Sequence, residues 1–342
     1  MKSECETLII GAGMAGLAAA RELVRGGSEV IVIDKGRGVG GRMATRRFAG
    51  ARFDHGAQFV SVRSSEFAGL VNRLVDDGVM TVWAHGFPDG LTGDGSLLTA
   101  TAGASPVAHR PARDGHPRYR GVPAMNSIPK ALADGLDVRL DVQAVAVREE
   151  DGGWSVDAEG GQRYRSRSVI VTAPVPQSLA LLAAGGVEVA PAARGRLEQI
   201  DYAPCLALLA RCDAPVALPE PGVLRRPTKT IEWIADNAAK GVTDGSPALT
   251  VHYAPGFSAE HYEEGEEAVA ELMIGELCSV LPVEIGTHQV KRWRFSSPIG
   301  PLSVGAWTEG LPPGIVIAGD ALAGARVEGA ALSGMAAARA VR

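Results

Sequence analysis

The stretch that decides the fold is Thr7-Leu-Ile-Ile-Gly11-Ala-Gly13-Met-Ala-Gly16, with Val30-Ile-Val-Ile-Asp34 a short distance further on. Between them, apolar residues recur at helical spacing from Leu17 to Val24, and Gly26-Gly27 ends the pattern. Two β-like runs therefore flank a glycine-rich turn and a helix, and the second run ends in an acid. This order is typical of a dinucleotide-binding unit.

Each part of this turn has a physical role in holding a dinucleotide. Gly11 permits a tight turn, Gly13 lets the backbone approach a pyrophosphate, and Gly16 lets the helix pack on the strand. The helix N-terminus offers unpaired N–H groups and the positive end of its dipole to the phosphates. Asp34 can accept hydrogen bonds from ribose hydroxyls. The predicted contacts are Gly11, Gly13, Met14, Ala15, Gly16 and Asp34.

A second glycine-rich turn, Lys35-Gly-Arg-Gly-Val-Gly40-Gly41-Arg42-Met43, follows at once. A nicotinamide site would not need it. Gly40-Gly41-Arg42 resembles the GGR signature of the flavin-binding amine oxidase superfamily, where the turn and its arginine lie beside the pyrophosphate of FAD. The resemblance favours FAD over NAD, and it implies contacts from Lys35, Gly40, Gly41, Arg42 and Met43. A solvated loop is the alternative for Lys35, Arg37, Arg46 and Arg47.

A third glycine cluster lies at the far end, where Ile315-Val-Ile-Ala-Gly319-Asp320 precedes Arg326-Val-Glu-Gly329 and an alanine-rich helix. In FAD proteins similar to this one, the aspartate holds the ribityl or pyrophosphate region. The helix there points its N-terminus at the pyrimidine edge of the flavin, where its dipole stabilises the negative charge of the reduced form. The implied contacts are Gly319, Asp320, Val327, Gly329 and Ala330. The alternative for Asp320 is a helix or turn cap.

The middle of the chain resembles the same superfamily. Alternating apolar and polar residues over 137–162 predict a β-meander, followed by a buried strand at 168–171. Helices are predicted over 66–77 and about 260–280. Residues 86–121, rich in Gly, Pro, Ser and Thr, predict a long loop or mobile flap.

The predicted fold class is α/β. It combines an FAD-binding Rossmann-type (GR2-like) domain, with a parallel sheet and a β-meander, and an inserted α+β substrate domain. The predicted bounds are 1–63, 126–184 and 301–342 for the FAD-binding domain, and 64–125 and 185–300 for the substrate-binding domain.

Further motifs, in order along nearly the whole chain, resemble the renalase branch of the superfamily, especially its bacterial members. They are Phe53-Asp-His-Gly-Ala-Gln58-Phe59, Ile231-Glu-Trp233-Ile-Ala-Asp-Asn237 with Lys240, Leu249-Thr-Val-His252, Arg292-Trp-Arg294 and Arg326-Val-Glu-Gly329. Ala330-Ala331 departs from the bulkier residues common in relatives, and the segment 86–121 aligns with no motif of the branch.

The resemblance implies an FAD oxidase of mis-reduced nicotinamide dinucleotides, the 2- or 6-dihydro isomers of NAD(P)H. Hydride passes from the dihydropyridine ring to the flavin and yields NAD(P)+, and molecular oxygen then reoxidises the flavin and gives hydrogen peroxide. The ring becomes aromatic as it loses hydride, so no general base and no metal is predicted, and the cofactor carries the chemistry. The implied contacts are Gln58 and Phe59 at the flavin, and Gln58, Trp233, Asn237, His252 and Arg292 at the substrate.

Alternatives remain open for these residues and for the function. His252 also fits a core histidine, Asn237 a turn cap, Trp233 simple packing, and Arg292 an ion pair. An amine oxidase or a desaturase of another small substrate would share every FAD motif. The amine oxidases of this superfamily commonly have a lysine near the flavin and an aromatic pair around the amine, and the sequence locates no such pair. A non-catalytic FAD-fold binding protein would not need the whole flavin cradle.

Composition sets further bounds. The 34 Lys and Arg against 39 Asp and Glu give a net charge of −5, which argues against a nucleic-acid binder. No apolar run is long enough to span a membrane. Four cysteines without a CxxC pair are typical of thiols in a reducing cytosol, which predicts a cytoplasmic protein without disulfides. No cysteine lies near the C-terminal flavin motif, so the FAD is predicted to be noncovalent.

Overall fold

The computed structural model describes residues 3–90 and 115–342. The helices in these residues are α1 (Met14–Arg25), α2 (Ser65–Asp76), α3 (Ser127–Ala133), α4 (Val175–Ala184), α5 (Pro191–Glu198), α6 (Pro255–Glu260), α7 (Glu266–Val280), α8 (Asp320–Ala323) and α9 (Val327–Ala340). The strands are β1 (Glu4–Ile10), β2 (Val30–Ile33), β3 (Thr45–Phe48), β4 (Ala51–Asp54), β5 (Val60–Ser61), β6 (Met80–Ala84), β7 (Arg118–Gly121), β8 (Asp137–Arg139), β9 (Ala144–Glu150), β10 (Gly153–Ala158), β11 (Arg163–Val171), β12 (Asp201–Cys212), β13 (Val223–Arg225), β14 (Ile231–Asp236), β15 (Ala248–Tyr253), β16 (Ile285–Ile299) and β17 (Ile315–Ile317).

The first sheet has seven strands in the order β8-β2-β1-β11-β10-β9, with β17 also paired to β11. β8, β2, β1, β11 and β17 run parallel, whereas β9, β10 and β11 form antiparallel neighbours. The run Val30–Ile33 is buried along its whole length, as expected of a parallel strand covered on both faces. The predicted fold class, a Rossmann-type sheet with a β-meander, is confirmed.

Helices α1 and α9 pack side by side against this sheet because small residues let their backbones approach. A Cβ on Gly334 would lie 2.0 Å from the carbonyl oxygen of Ala15, and a Cβ on Gly16 would lie 1.9 Å from that of Gly11. The core around them includes Ile9, Leu17, Leu23, Val32, Ile170 and Ala337. Two segments that lie far apart along the chain are therefore held in direct contact.

The second sheet has five antiparallel strands in the order β13-β14-β15-β12-β16. Helix α7 covers one face, with a buried core that includes Leu206, Val251, Val269, Met273 and Leu277. The hairpin of β3 and β4 lies on the opposite face, where Phe53 packs with Leu209 and Ala248. This opposite face of the second sheet, called here the inner face, is the one that meets residues 54–59.

The structure confirms the predicted helix at 66–77 as α2 and corrects two other elements. The single helix predicted over about 260–280 is two helices, α6 and α7, because the polar stretch 261–265 separates them. Residues 118–121 of the predicted loop form β7, which pairs with β5 and β6. Residues 91–114 of that prediction lie outside the described residues.

The strands of the first sheet come from residues 4–33, 137–171 and 315–317, and those of the second from residues 201–299. The division of the chain at the domain bounds given above stays a prediction. Among the described residues, no helix combines the length and the apolar character needed to cross a bilayer.

Candidate active site

The first glycine-rich turn leaves the N-terminus of α1 uncovered. Gly13 precedes the helix, no side chain caps it, and apart from its chain neighbours no described residue comes within 4 Å of a Cβ built on Gly13. Gly11 has a φ of 111°, a conformation that favours glycine. Met14 and Ala15 are buried in the first helical turn. An uncapped helix end beside bare backbone is a cradle that fits a pyrophosphate.

Asp34 braces this turn at the end of β2. Its carboxylate accepts hydrogen bonds from the backbone N–H groups of Ala12 and Gly36, each at 2.6 Å. Each carboxylate oxygen can accept more than one hydrogen bond, so the group can also take part in ribose recognition. That contact stays a prediction.

The second glycine-rich turn packs directly on the first. The N–H of Gly40 donates to the carbonyl oxygen of Ala12 at 2.8 Å, and a Cβ on Gly41 would lie 3.6 Å from the Cα of Gly13. Met43 is buried below the turn, whereas Lys35 is exposed. The two glycine motifs therefore lie side by side, and their contact with one shared ligand stays a prediction.

Arg42 joins the second turn to the C-terminal motif. Its guanidinium donates to both carboxylate oxygens of Asp320, at 2.8 and 2.7 Å, and to the carbonyl oxygen of Ser296 at 3.1 Å. The bidentate pair fixes the orientation of both side chains. Gly319 and Asp320 are thereby placed beside the glycine turns, where the sequence predicted a flavin contact.

The N-terminus of α9 also lacks a side-chain cap. Gly329 is required there because a Cβ would lie 1.9 Å from the carbonyl oxygen of Gly324. Glu328 is buried and accepts hydrogen bonds from the N–H and hydroxyl of Ser64, both at 2.7 Å. Val327 and Ala330 are half-buried in the same turn. The uncapped end fits the anionic edge of a reduced flavin. Glu328 holds the start of α9 against Ser64, a role that the sequence pattern does not indicate.

Residues 54–59 connect the cofactor turns to the second sheet. A Cβ on Gly56 would lie 2.0 Å from the carbonyl oxygen of Arg42, and the N–H of Ala57 donates to the same oxygen at 2.8 Å. Gln58 is buried, and its Nε2 donates to the carbonyl oxygens of Asp54 and Gly56. Gln58 therefore shapes this segment beside the Arg42 turn.

Lys240 and Asp54 form a buried ion pair in the same region. Nζ of Lys240 lies 2.9 Å from Oδ2 of Asp54, and both side chains are 0% exposed. Oδ1 of Asp54 accepts from the hydroxyl of Thr45 at 2.6 Å and from the N–H of Met125 at 3.0 Å. Burial lowers the pKa of Lys240, and the Asp54 carboxylate opposes that shift. Lys240 belongs to a motif quoted above, but spacing alone gives no sign of its partner.

Asn237, at the end of β14, is hydrogen-bonded to Asp54 of this ion pair. Its Oδ1 accepts from the N–H of Asp54 at 3.1 Å, and its Nδ2 donates to the carbonyl oxygen of Ala248 and the hydroxyl of Thr250. The residue is 0% exposed. Both donor hydrogens thus have protein partners, which favours the structural alternative for Asn237 over a substrate contact.

Four aromatic side chains cluster beside Lys240. They are Phe59, Trp83, Phe87 and Trp233, with ring centres 4.9 to 6.3 Å apart. Nζ of Lys240 lies 4.8 Å from the centre of the Trp83 ring, and the guanidinium of Arg118 lies 5.8 Å from that of Phe59. The indole Nε1 atoms of Trp83 and Trp233 are buried and have no hydrogen-bond partner in the described structure. Trp83 and Phe87 were missed because their segment has little periodicity.

One row of side chains crosses the inner face of the second sheet. Trp233, His252, Ala207 and Lys291 lie directly opposite one another on β14, β15, β12 and β16. Directly opposite residues of antiparallel strands share a face. The row therefore runs from the aromatic cluster to β16, the edge strand of the sheet.

His55 lies over this row. Nε2 of His252 and Nε1 of Trp293 both donate to the carbonyl oxygen of His55, at 3.2 and 2.9 Å. The rings of His55 and Trp293 stack with centres 5.2 Å apart. Burial lowers the pKa of each histidine to about 4, so both imidazoles are neutral near pH 7. Nδ1 of His55 is buried and has no hydrogen-bond partner within the described residues.

Arg292 lies away from this row. Its guanidinium donates to the carbonyl oxygens of Tyr262 and Glu264 in the connection between α6 and α7. That connection lies on the face of the sheet covered by α7, so Arg292 stabilises a helix junction. Its neighbours Lys291 and Trp293 point to the inner face, because successive side chains of a strand alternate.

Comparison with known proteins agrees with this geometry. A family model described as flavin containing amine oxidoreductase matches residues 85–342, and a model of an NAD(P)-binding Rossmann-like domain matches residues 9–77. The chain belongs to the flavin containing amine oxidoreductase family. It is an FAD-dependent oxidoreductase, and the uncapped helix ends and glycine cradle described above fit that cofactor.

Individual relatives differ in how much of the chain they match. Mouse renalase is 24% identical in an alignment of 333 residues that covers 92% of each chain. AofH of Mycobacterium tuberculosis is 41% identical over 80 residues, 23% of this chain and 17% of that protein. Putrescine oxidase of Kocuria rosea is 39% identical over 71 residues, 21% of this chain and 15% of that protein. The chain thus spans less than a fifth of the length of these last two relatives.

Solved structures share the fold over the whole chain. A putrescine oxidase bound to putrescine superposes with a TM-score of 0.70 and 16% identity, covering 99% of both chains. Cyclohexylamine oxidase from Brevibacterium oxydans gives a TM-score of 0.70 and 13% identity over 98% of both chains. At this identity the likeness shows the fold alone.

Proposed function

We propose that the protein oxidises the 2- or 6-dihydro isomers of NAD(P)H to NAD(P)+, as a renalase-like member of its family. Two findings support this reaction. The similarity to renalase extends over 92% of both chains, whereas the matches to AofH and putrescine oxidase cover less than a quarter of this chain. The charges of the site favour an anionic substrate over a cationic amine.

The aromatic cluster is the observation that carries the proposal. An ammonium substrate would bind over the faces of aromatic rings. Here the chain's own cations lie over two of them, Lys240 over Trp83 and Arg118 over Phe59. The carboxylate of Asp54 is already paired with Lys240. A substrate ring that is uncharged, with its negative charge elsewhere, fits this surface better.

The residues of the chain have binding and positioning roles in this reaction. Bound FAD supplies the hydride acceptor and the route of the electrons to oxygen, with hydrogen peroxide as product. The N-terminus of α1 would hold the FAD pyrophosphate, and the N-terminus of α9 would stabilise negative charge at the pyrimidine edge. Trp233 offers an indole N–H that has no partner among the described residues, which suits the carboxamide oxygen of a nicotinamide. Loss of hydride makes the substrate ring aromatic, so no side chain has to remove a proton.

The test mixes FAD-loaded protein, without oxygen, with borohydride-reduced NAD, which contains the dihydro isomers. We expect loss of the flavin absorbance within seconds, no such loss with ordinary NADH, and hydrogen peroxide once oxygen is admitted. An unchanged flavin spectrum with every isomer would overturn the proposal.

Amine oxidation is the second candidate, and the buried Lys240 beside two tryptophans favours it. A lysine close to an aromatic pair is the arrangement expected of an amine oxidase of this superfamily. Rapid anaerobic bleaching by a member of a panel of primary, secondary and poly-amines, without bleaching by the dihydro isomers, would select this function.

A further inference from the structure

Two cations lie together where the inner face reaches the edge of the second sheet. Lys291 is half-buried at the β16 end of the row that begins at Trp233. Arg46, half-buried on β3, donates through Nε to Oε1 of Gln289 at 3.1 Å. Gln289 precedes Lys291 by two positions on β16 and therefore shares its face. The hairpin thus holds a guanidinium beside the ammonium of Lys291.

No carboxylate of the described residues lies within ion-pair distance of either cation. Burial lowers the pKa of Lys291, and the positive charge of Arg46 lowers it further, while the negative charge of Glu266 acts less strongly in the opposite sense. Two like charges held together in a half-buried place repel each other. An anion bound between them would relieve that repulsion.

His55 adds an unused hydrogen-bonding atom beside them. The residue is 8% exposed, its Nδ1 has no partner among the described residues, and its ring stacks on Trp293. Lys291 is the charged residue that acts most strongly on the His55 ring. A neutral imidazole can present an N–H from Nδ1, and a phosphate oxygen is a suitable acceptor.

We propose that Lys291 and Arg46, with Nδ1 of His55, form a phosphate subsite for the substrate at the edge of the inner face. This inference rests on the proposed function and names the part of the site that selects a phosphorylated substrate. Three strand spacings of about 4.8 Å put Lys291 roughly 14 Å from Trp233 along the row. That separation suits an elongated molecule with an uncharged ring at one end and phosphate towards the other.

The first test measures binding without turnover. Inorganic pyrophosphate is titrated into FAD-loaded protein by calorimetry, since FAD then fills its own pyrophosphate site. We expect Lys291→Gln and Arg46→Gln each to weaken binding by about tenfold or more, as for loss of a charged hydrogen bond. Arg47→Gln is the matched control, because Arg47 is the next residue of β3 and is exposed. Lys291→Arg should restore most of the affinity.

The second test compares dihydro isomers prepared from NAD, NADP and nicotinamide riboside, which lacks phosphate. We expect Lys291→Gln to raise KM for the phosphorylated isomers, with kcat nearly unchanged, and to leave the riboside isomer unaffected. An equal effect on the NAD and NADP isomers assigns the subsite to the pyrophosphate, and a larger effect on the NADP isomer assigns it to the 2′-phosphate.

The outcomes separate the two proposals. If pyrophosphate binds through Lys291 but no isomer is oxidised, the subsite stands and the proposed function falls. If the isomers are oxidised and neither variant changes pyrophosphate binding or KM, the function stands and the subsite is refuted.

Discussion

At the scale of single residues, the site depends on charges that the fold buries. Lys240 is the clearest case, because its ammonium meets the Asp54 carboxylate inside the protein and lies over the Trp83 ring. Such a pair adds little net stability, yet the loss of one partner leaves an uncompensated charge. The residue therefore fixes how residues 54–59 sit against the second sheet.

Lys240→Met should lower the free energy of unfolding by about 3–5 kcal/mol, because it leaves the Asp54 carboxylate buried without a counter-charge. Urea unfolding followed by circular dichroism measures the effect. Lys229→Met is the control, since Lys229 is exposed. Adding Asp54→Asn to Lys240→Met should recover part of the loss. A Lys240→Met protein as stable as the control would contradict a role for the pair.

His55 and His252 predict a pH dependence of stability. The pKa of His55 and of His252 is lowered from 6.5 to about 4 in the folded protein. The unfolded chain therefore binds more protons between these values, and stability falls as pH drops from about 6.5 towards 4. At 1.36 kcal/mol per pKa unit, His55 alone accounts for roughly 3 kcal/mol of this loss.

Urea unfolding of the wild type and of His55→Gln, measured between pH ~7 and ~5, checks this prediction. The variant should lose less stability than the wild type over that range. Parallel pH curves for the two proteins would show that His55 is not the group responsible.

At the scale of elements, periodicity identified strands and helices but not the side of a strand that forms the site. In β16, Lys291, Arg292, Trp293 and Arg294 are all polar or aromatic, so no apolar alternation marks the buried face. The W-R motif predicts a substrate contact for Arg292, whereas in the structure that residue contacts the α6–α7 junction. The deciding information is the register with β12, a pairing between distant segments.

The glycine turns were predictable for the opposite reason. The local backbone conformation favours glycine at these positions, as the φ of 111° does at Gly11. The glycines in the sequence therefore reveal the turns without any knowledge of long-range contacts. The aromatic cluster depends instead on tertiary contacts among β6, β14 and residues 59 and 87, which leave no pattern in any one segment.

Gly13→Ala should separate cofactor binding from folding at the first turn. The protein leaves room for the added Cβ, and the φ of −80° is accessible to alanine. The unfolding free energy of the FAD-free protein should therefore change by no more than about 1 kcal/mol. FAD affinity should fall by about tenfold or more, because the Cβ occupies the path of the pyrophosphate.

Fluorescence titration with FAD and urea unfolding of the FAD-free protein measure the two effects of Gly13→Ala. Gly195→Ala is the matched control, since Gly195 is exposed in α5 and a Cβ there also meets no described atom within 4 Å. Unchanged FAD affinity in Gly13→Ala would place the cofactor elsewhere.

At the scale of the whole molecule, the sequence identified the two ends as parts of one site, and the Arg42–Asp320 pair joins them. The fold class follows from motifs near both ends, so it could be predicted before any long-range contact was known. The side chains that line the inner face could not be predicted in this way, because they come together only where residues 54–59 contact strands from residues 201–299.

FAD should therefore stabilise both ends together. At free FAD one hundred times its Kd, the linkage adds about 2.7 kcal/mol to the unfolding free energy. In hydrogen–deuterium exchange, peptides from α1 and from α9 should both gain protection when FAD is added. Peptides from α7, on the far face of the second sheet, should change little. Protection gained by α1 alone would show that α9 does not take part in the site.

The contact of α1 with α9 also has a consequence for biosynthesis. β1, α1 and both glycine turns are translated hundreds of residues before α9, the helix that completes the cradle. The nascent chain must keep its first Rossmann unit flavin-free, with Ala15 and its apolar neighbours uncovered, until residues 327–340 emerge from the exit tunnel. Cofactor loading should thus wait until α9 has been synthesised and has packed against α1.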